Sequence, residues 1–344
     1  MKKISMLLSL ALAIAACSTD NTPDGGNDSG KVRLSFRALT PGTKVVTGTG
    51  DMTLNHYQVF VFDASGDLEA NSGLIDGTEQ GLPSLELSPG RKNIWAVGNA
   101  NRDLTTAYGV STEEEFLGIR LYLEEQVNRQ GLFYSAKILN KVVNEDYTVD
   151  LEFDHMPCKV VIDKIEKNCS DPDLAQVPMY IKRIYLSNVA ADCNFDCSGT
   201  PEEWYNKKGI IDFEEDIVHY EFASPGYGLA QGGQYNHSHV FYTFPHPVKS
   251  DTYGGNAWTP RRTRLVVECS FNGEQCYYPI TLPNDPNAVL ARNTVYHISK
   301  LVLKRPGSPD PDDPGDEIDP YMEYSFEVIV HDWIEGDSYS ETFE

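Results

Sequence analysis

Residues 263–280 read Thr-Arg-Leu-Val-Val-Glu-Cys-Ser-Phe, then Asn272-Gly273, then Glu-Gln-Cys-Tyr-Tyr-Pro-Ile. Asn-Gly between two β-prone runs is a strong hairpin signal, because both residues accept the positive φ of a tight turn. With these two in the turn, Phe271 faces Glu274 and Cys269 faces Cys276. Outward from this hairpin the chain keeps the same style. Lys31 to Leu39 alternates, with Val32, Leu34 and Phe36 against Arg33, Ser35 and Arg37, as a half-buried strand does. Leu54 to Phe62 is a second, more apolar strand that stops at the turn Asp63-Ala-Ser-Gly66. Further strands are expected at 82–87, 93–98, 132–139 and 147–153, and then at 159–165, 179–188, 240–244, 264–271, 275–282 and 295–303. One helix is expected near 112–128. Ser111 with Glu114 fits a capping box, and Phe116, Leu123 and Val127 share a stripe that reads as core packing. Short strands between Gly, Pro, Asn and Asp turns, with little helix, predict an all-β chain of two β-sandwich domains. The boundary is expected near residue 155.

The chain has 344 residues, 28 Lys+Arg and 51 Asp+Glu, for a formal charge of −23. That length suggests roughly two domains of about 150 residues. Apolar residues make up 40%, enough for true cores and too many for a disordered chain. So acidic a chain has no basic excess with which to track nucleic acid. Its surface charge also disfavours docking on anionic lipid.

The N-terminus reads as an export signal. Met1-Lys2-Lys3 is a positive start, and Ile4 to Ala13 is a mostly apolar run, shorter than the about 20 residues that span a bilayer. Ile14-Ala15-Ala16-Cys17 follows, with small residues before the cut. A Cys at that place resembles a bacterial lipobox, in which Cys17 is acylated and becomes the first residue. Ser18 is compatible with sorting to the outer membrane. Residues 1–16 are thus a signal peptide and 17–30 a lipidated polar tether. Without Lys2 and Lys3 the mature chain carries −25 over 328 residues.

Six further cysteines remain: Cys158, Cys169, Cys193, Cys197, Cys269 and Cys276. An even number suits an oxidising compartment. Cys269 and Cys276 are a candidate disulfide, although their place is a hydrogen-bonded pair, where the Cα atoms lie further apart. Cys193-x-x-x-Cys197 lacks a second Cys/His pair at zinc-like spacing and reads as a disulfide or two thiols. No metal or cofactor is expected.

Catalytic signals are sparse. The sequence has no Gly-Lys-Ser/Thr phosphate loop, no Gly-x-Ser-x-Gly elbow and no His-Glu-x-x-His. His237 and His239, with His246 nearby, could share a face, but polar loops collect His without ligating anything. Gly226-Tyr-Gly228 and Gly232-Gly233 lack a strand-to-helix context. The aromatics raise carbohydrate binding, yet most alternate along strands, where packing is the default. The chain is expected to be no enzyme.

After Leu303 comes a Pro/Asp-rich linker, and then Tyr324-Ser-Phe-Glu-Val-Ile-Val-His-Asp-Trp333. Tyr324, Phe326, Val328 and Val330 alternate there on one side. From Pro309 to Glu344 there are 13 acids and no Lys or Arg, so the tail is expected to be solvated wherever it is unpaired. A strand that alternates well needs a partner. It either folds back on its own sandwich or reaches another subunit.

The ordered set of segments resembles the Bacteroidales fimbrillins, the subunits of type V pili. It comprises the lipobox, the tether, the first strand, a loop with a basic residue, LNHYQVFVFDASGDL at 54–68 and NIWAVGNANRDL at 93–104. LVVECSFNGEQCYYPITL at 265–282, ARNTVYHISKLVLKRPGSPDPDDP at 291–314 and FEVIVHDW at 326–333 continue it. The resemblance is weakest over 190–235. It implies sandwiches of transthyretin-like topology at 31–155 and 156–304, with 305–344 as linker and donor-type strand. It implies a palmitate-type lipoprotein displayed on the outer membrane for adhesion, whose partners are other fimbrial subunits. A trypsin-like protease would remove the first strand, at Lys44–Val45 or, as second choice, Arg37–Ala38. A Lys where the family commonly has Arg leaves the protease open. Subunits would then polymerise by strand exchange, with Tyr324, Phe326, Val328 and Val330 in the donor. An uncleaved anchor and a tip adhesin share this fold. The alternative from another class is a surface glycan-binding lipoprotein, which needs no detachable strand.

Overall fold

A computed structural model describes residues 30–39, 53–77, 82–100, 102–127, 131–207, 220–221, 227–250, 258–283, 285–312 and 326–332. The chain begins with β1 (Val32–Leu39), β2 (His56–Phe62), β3 (Leu68–Asp76), β4 (Ser84–Leu87) and β5 (Gly90–Gly98). Next come α1 (Leu104–Tyr108), α2 (Glu113–Gly118), β6 (Leu121–Tyr122) and α3 (Leu123–Val127). Then follow β7 (Tyr134–Val143), β8 (Tyr147–Glu152) and β9 (Asp154–His155). These strands form one sheet in the order β4-β1-β8 and another in the order β3-β2-β5-β7-β9. The two enclose a core that includes Leu34, Phe36, Val59, Val61, Ile94, Ala96, Val149 and Leu151.

β2 shows why its sequence is apolar throughout. Tyr57, Val59 and Val61 enter the core under β1, while Phe60 and Phe62 enter a second core. A strand covered on both faces loses its hydrophobic alternation.

The expected helix over 112–128 is broken. α2 starts one residue later than predicted, with Thr112 and Glu115 forming the capping box. It ends at Gly118, and β6 then pairs with a strand of the second half before α3 begins. Burying Leu121 in that pairing outweighs continuing the helix. Among the described residues, two short helices, α2 and α3, stand where one was expected.

The second half runs β10 (Cys158–Ile162), β11 (Ile165–Lys167), α4 (Pro172–Ala175), β12 (Met179–Ser187), β13 (Val189–Ala190), β14 (Asp192–Cys193) and β15 (Trp204–Tyr205). It continues through β16 (Tyr220–Glu221), β17 (Tyr227–Leu229), β18 (Gln234–Tyr235), β19 (His239–Thr243), β20 (Arg264–Phe271), β21 (Glu274–Thr281), β22 (Thr294–Leu303) and β23 (Phe326–Asp332). One sheet has the order β18-β11-β22-β10-β19, with β23 added on β22; a second has the order β16-β12-β20-β21, with β17 on β12; β13 and β15 form a two-stranded sheet. The fold is all-β with sheets stacked about apolar cores. At the β20–β21 hairpin, Asn272 and Gly273 both have positive φ, 54° and 84°. The register sets Phe271 opposite Glu274 and Cys269 opposite Cys276, as the turn residues predicted.

The halves are joined by side chains as well as by the main chain. β6 pairs antiparallel with β14, and Arg120 Nη1 lies 3.2 Å from the buried carboxylate of Asp192. Phe116 of α2 packs on Phe60, at 4.7 Å between ring centroids, and on Phe195, beyond β14, at 4.6 Å.

The Pro-rich linker differs from its expected form. It is docked through Asp312. Ser308 N–H donates to the Tyr277 carbonyl and Tyr277 N–H to that of Ser308, at 2.8 and 2.7 Å. Gly307 permits this approach, since a Cβ there would lie 2.2 Å from the Tyr277 carbonyl oxygen.

Candidate functional site

β1 is the middle strand of its sheet. It pairs antiparallel with β4 from Val32↔Leu87 to Ser35↔Ser84. On its other side it pairs parallel with β8 from Leu34↔Tyr147 to Leu39↔Glu152. Its alternation is that of the sequence. Val32, Leu34 and Phe36 are buried, and Arg33 and Arg37 are exposed. Few bonds hold it beyond the ladder. Arg33 N–H donates to Asp146 Oδ1 at 2.7 Å, and Phe36 N–H donates to the Pro83 carbonyl at 2.9 Å. Arg37 meets Asp150 at 3.2 Å, with both side chains about half exposed, a pairing worth at most about 1 kcal/mol. The groove that β1 fills is therefore apolar at its floor and lined by two strand edges.

The second-choice cleavage site, Arg37–Ala38, lies inside the ladder with β8, opposite Asp150 and Leu151. The first choice, Lys44–Val45, lies outside the described residues, as do Cys17, the signal and the tether up to Ser29.

Of the donor-type strand, Phe326, Val328 and Val330 fall in β23, and Tyr324 lies outside the described residues. β23 pairs antiparallel with β22 of its own chain, from Thr294↔Asp332 to Leu301↔Phe326. β22 is held on its other side by β10 and β11, both parallel. β23 is thus an added edge strand, and it takes the fold-back arrangement of the two considered from sequence.

The histidines do not converge. His239 Nε2 is 3.0 Å from the Tyr235 hydroxyl, and His237 packs on the same ring. His246 Nε2 is 3.0 Å from Thr263 Oγ1, beside Trp204. Burial, and then the Arg262 guanidinium, push the His246 pKa down to about 4. Among the described residues no three His, Cys, Asp or Glu side chains are placed to hold a metal. Cys269 and Cys276 face each other as expected, but both are free thiols here, as are Cys158, Cys169, Cys193 and Cys197. Burial, and then the neighbouring Cys197 thiol, push the Cys193 pKa up. Among the described residues no helix is long and apolar enough to cross a membrane.

No family model matches the chain, and no curated protein matches its sequence. Solved structures do match its shape. A protein of Bacteroides eggerthii assigned to cell adhesion aligns at a TM-score of 0.60 and 17% identity, over 88% of this chain and 95% of its own. A fimbrilin of Porphyromonas gingivalis aligns at 0.55 and 13% identity, over 90% and 98%. The C-terminally truncated tip fimbrial protein of the same organism aligns at 0.55 and 13%, over 88% and 100%. The chain has the fimbrilin fold. That agrees with the resemblance read from the ordered segments.

Sequence reasoning missed two features of this fimbrilin fold. One is the Phe116–Phe195 contact between the halves. The other is the burial of Asp312, for which the signal was Arg261-Arg262-x-Arg264, three cations before a β-strand with few acids nearby in sequence.

Proposed function

We propose that the chain is a structural subunit of a fimbrium attached to the outer membrane, with a mechanical and adhesive role. It is exported as a lipoprotein through Cys17, cleaved after β1 at Lys44–Val45, and polymerised by strand exchange. One observation carries this reading: β1 is the central strand of its sheet, between β4 and β8, and residues 40–52 lie between it and β2 in sequence. Cutting the chain there severs from β2 a strand with three buried apolar side chains. Each contributes about 1.5–3 kcal/mol, so their total rivals a domain's whole stability of about 5–15 kcal/mol. A cleaved subunit must be refilled. An extended segment of a neighbour can do so by β-augmentation, with main-chain bonds for affinity and alternate side chains for fit. β23, beyond its linker, is the natural donor. Such contacts are head-to-tail and extend without closing. The fimbrilin fold of the neighbours supports the same reading.

Sequencing the N-termini of subunits in fibres on intact cells tests it. Subunits starting at Val45 are expected. Subunits starting at acylated Cys17 would make the protein an uncleaved anchor, and a start at Ala38 would move the cut to the second site.

A further inference from the structure

Asp312 sits at the end of the Pro-rich segment, among acids that read as solvated, yet it is 4% exposed. Arg261 Nη1 donates to its Oδ2 at 2.7 Å, and Asn188 Nδ2 donates to its Oδ1 at 2.8 Å. Arg264 Nη1 donates to Oδ1 as well. Both arginine side chains are 1% exposed. The residues before Asp312 are fastened stepwise. Tyr278 Oη donates to the Arg305 carbonyl, and Ser308 exchanges main-chain bonds with Tyr277. Asp310 N–H donates to Ser308 Oγ at 3.0 Å, and Asp312 N–H donates to Asp310 Oδ1 at 2.9 Å.

Two buried cations without their carboxylate carry a large desolvation cost, so this contact is hard to release. We propose that Asp312 is a positioning residue for strand donation: its carboxylate locks 305–312 to the second sandwich and fixes the point from which the C-terminal strand departs. This rests on the strand-exchange reading above. The consequence is geometric. Fourteen peptide steps separate Asp312 from Phe326, a reach of about 45–50 Å when extended. A tether starting at Leu303 would have 23 steps and reach about 75–85 Å. The lock shortens the tether by more than a third and holds its origin still. Both effects raise the effective concentration of the strand at a neighbour placed within reach.

Hydrogen exchange on the full chain tests the lock itself. In the native chain the amides of Ser308, Asp310 and Asp312 should exchange slowly. In Asp312→Asn they should exchange at least tenfold faster, while the β20–β21 hairpin keeps its protection. Should that variant not fold, Arg261→Met, Arg264→Leu and Asp312→Ser together replace the buried ions without leaving a lone charge, and the same loss is expected. Fibres grown from the released variant should bend more, with a persistence length at least twofold shorter. Native 308–312 amides exchanging like an unstructured peptide, or unchanged in both variants, would overturn the lock. Released fibres as stiff as native ones would overturn its positioning role. If no variant, native included, forms fibres while the exchange contrast persists, strand exchange fails and the lock stands.

Discussion

Phe116 and Phe195 stack with their ring centroids 4.6 Å apart and their planes 22° apart. The first belongs to α2 and the second follows β14, so one aromatic contact ties the two halves together. Both rings are fully buried in the larger core, together with Phe60, Phe62 and Trp95. Glu113 fixes the near side, accepting from Trp95 Nε1 at 2.6 Å and Asn93 Nδ2 at 2.8 Å.

Phe195→Ala removes a buried ring whose neighbours come from both halves. It should destabilise the chain by about 3–5 kcal/mol. Calorimetry should show the native chain melting in a single transition and the variant in two. A variant that melts once, within a degree of the native chain, would show that the joint carries little.

How much of this was legible follows from the range of each interaction. The β20–β21 register could be read because Asn272-Gly273 fixes it locally. The inward face of β1 could be read from alternation alone. β3 was missed, since Leu68-Glu-Ala-Asn-Ser-Gly-Leu-Ile-Asp76 neither alternates nor is rich in β-branched residues, and its pairing with β2 is interrupted by irregularities. The helix predicted over 112–128 is broken by the pairing of Leu121 with Cys193, which nothing nearby in sequence announces. Asp312 was hidden for the same reason: its partners lie 48, 51 and 124 residues upstream. Taken alone, its neighbourhood reads as a solvated acidic run.

His246 gives a pH dependence with a definite sign. Its folded pKa is lowered from 6.5 to about 4 by burial and then by Arg262. Between those values the unfolded chain binds a proton that the folded chain does not. Stability therefore falls as pH drops from 6.5 towards 4, by about 3 kcal/mol for this group. His246→Gln should flatten that part of the curve in urea titrations run at several pH values. An unchanged slope would assign the acid sensitivity to other groups.

Phe36 tests whether β1 is removed, as the proposed maturation requires. Phe36→Ala in the uncleaved chain should cost about 3–5 kcal/mol, because the ring is fully buried in the core under β1. If β1 is removed during maturation, the same substitution should leave fibres as stable to heat as native ones. Weakened fibres would show that β1 stays in place after assembly.

The last prediction concerns β23, which in this chain pairs with its own β22. β22 is also held by β10 and β11 on its inner side, so the sheet keeps its centre when the added edge strand leaves. A chain ending at Asp312 retains the buried contact to Arg261 and Arg264. It should therefore melt within a few degrees of the full chain, the shift expected for about 1 kcal/mol in a protein of this size. Under the proposed strand exchange it would still offer its own groove but would have no strand to donate. Added at a tenth of the native concentration, it should cap growing fibres and shorten them. Val328→Asp in the full chain should act in the same way, since a charge cannot enter an apolar groove without a partner. A truncated chain that aggregates or unfolds would mean that β23 is an integral part of its own sandwich, because the bared β22 edge then seeks any partner. Strand donation by this segment would not survive that result.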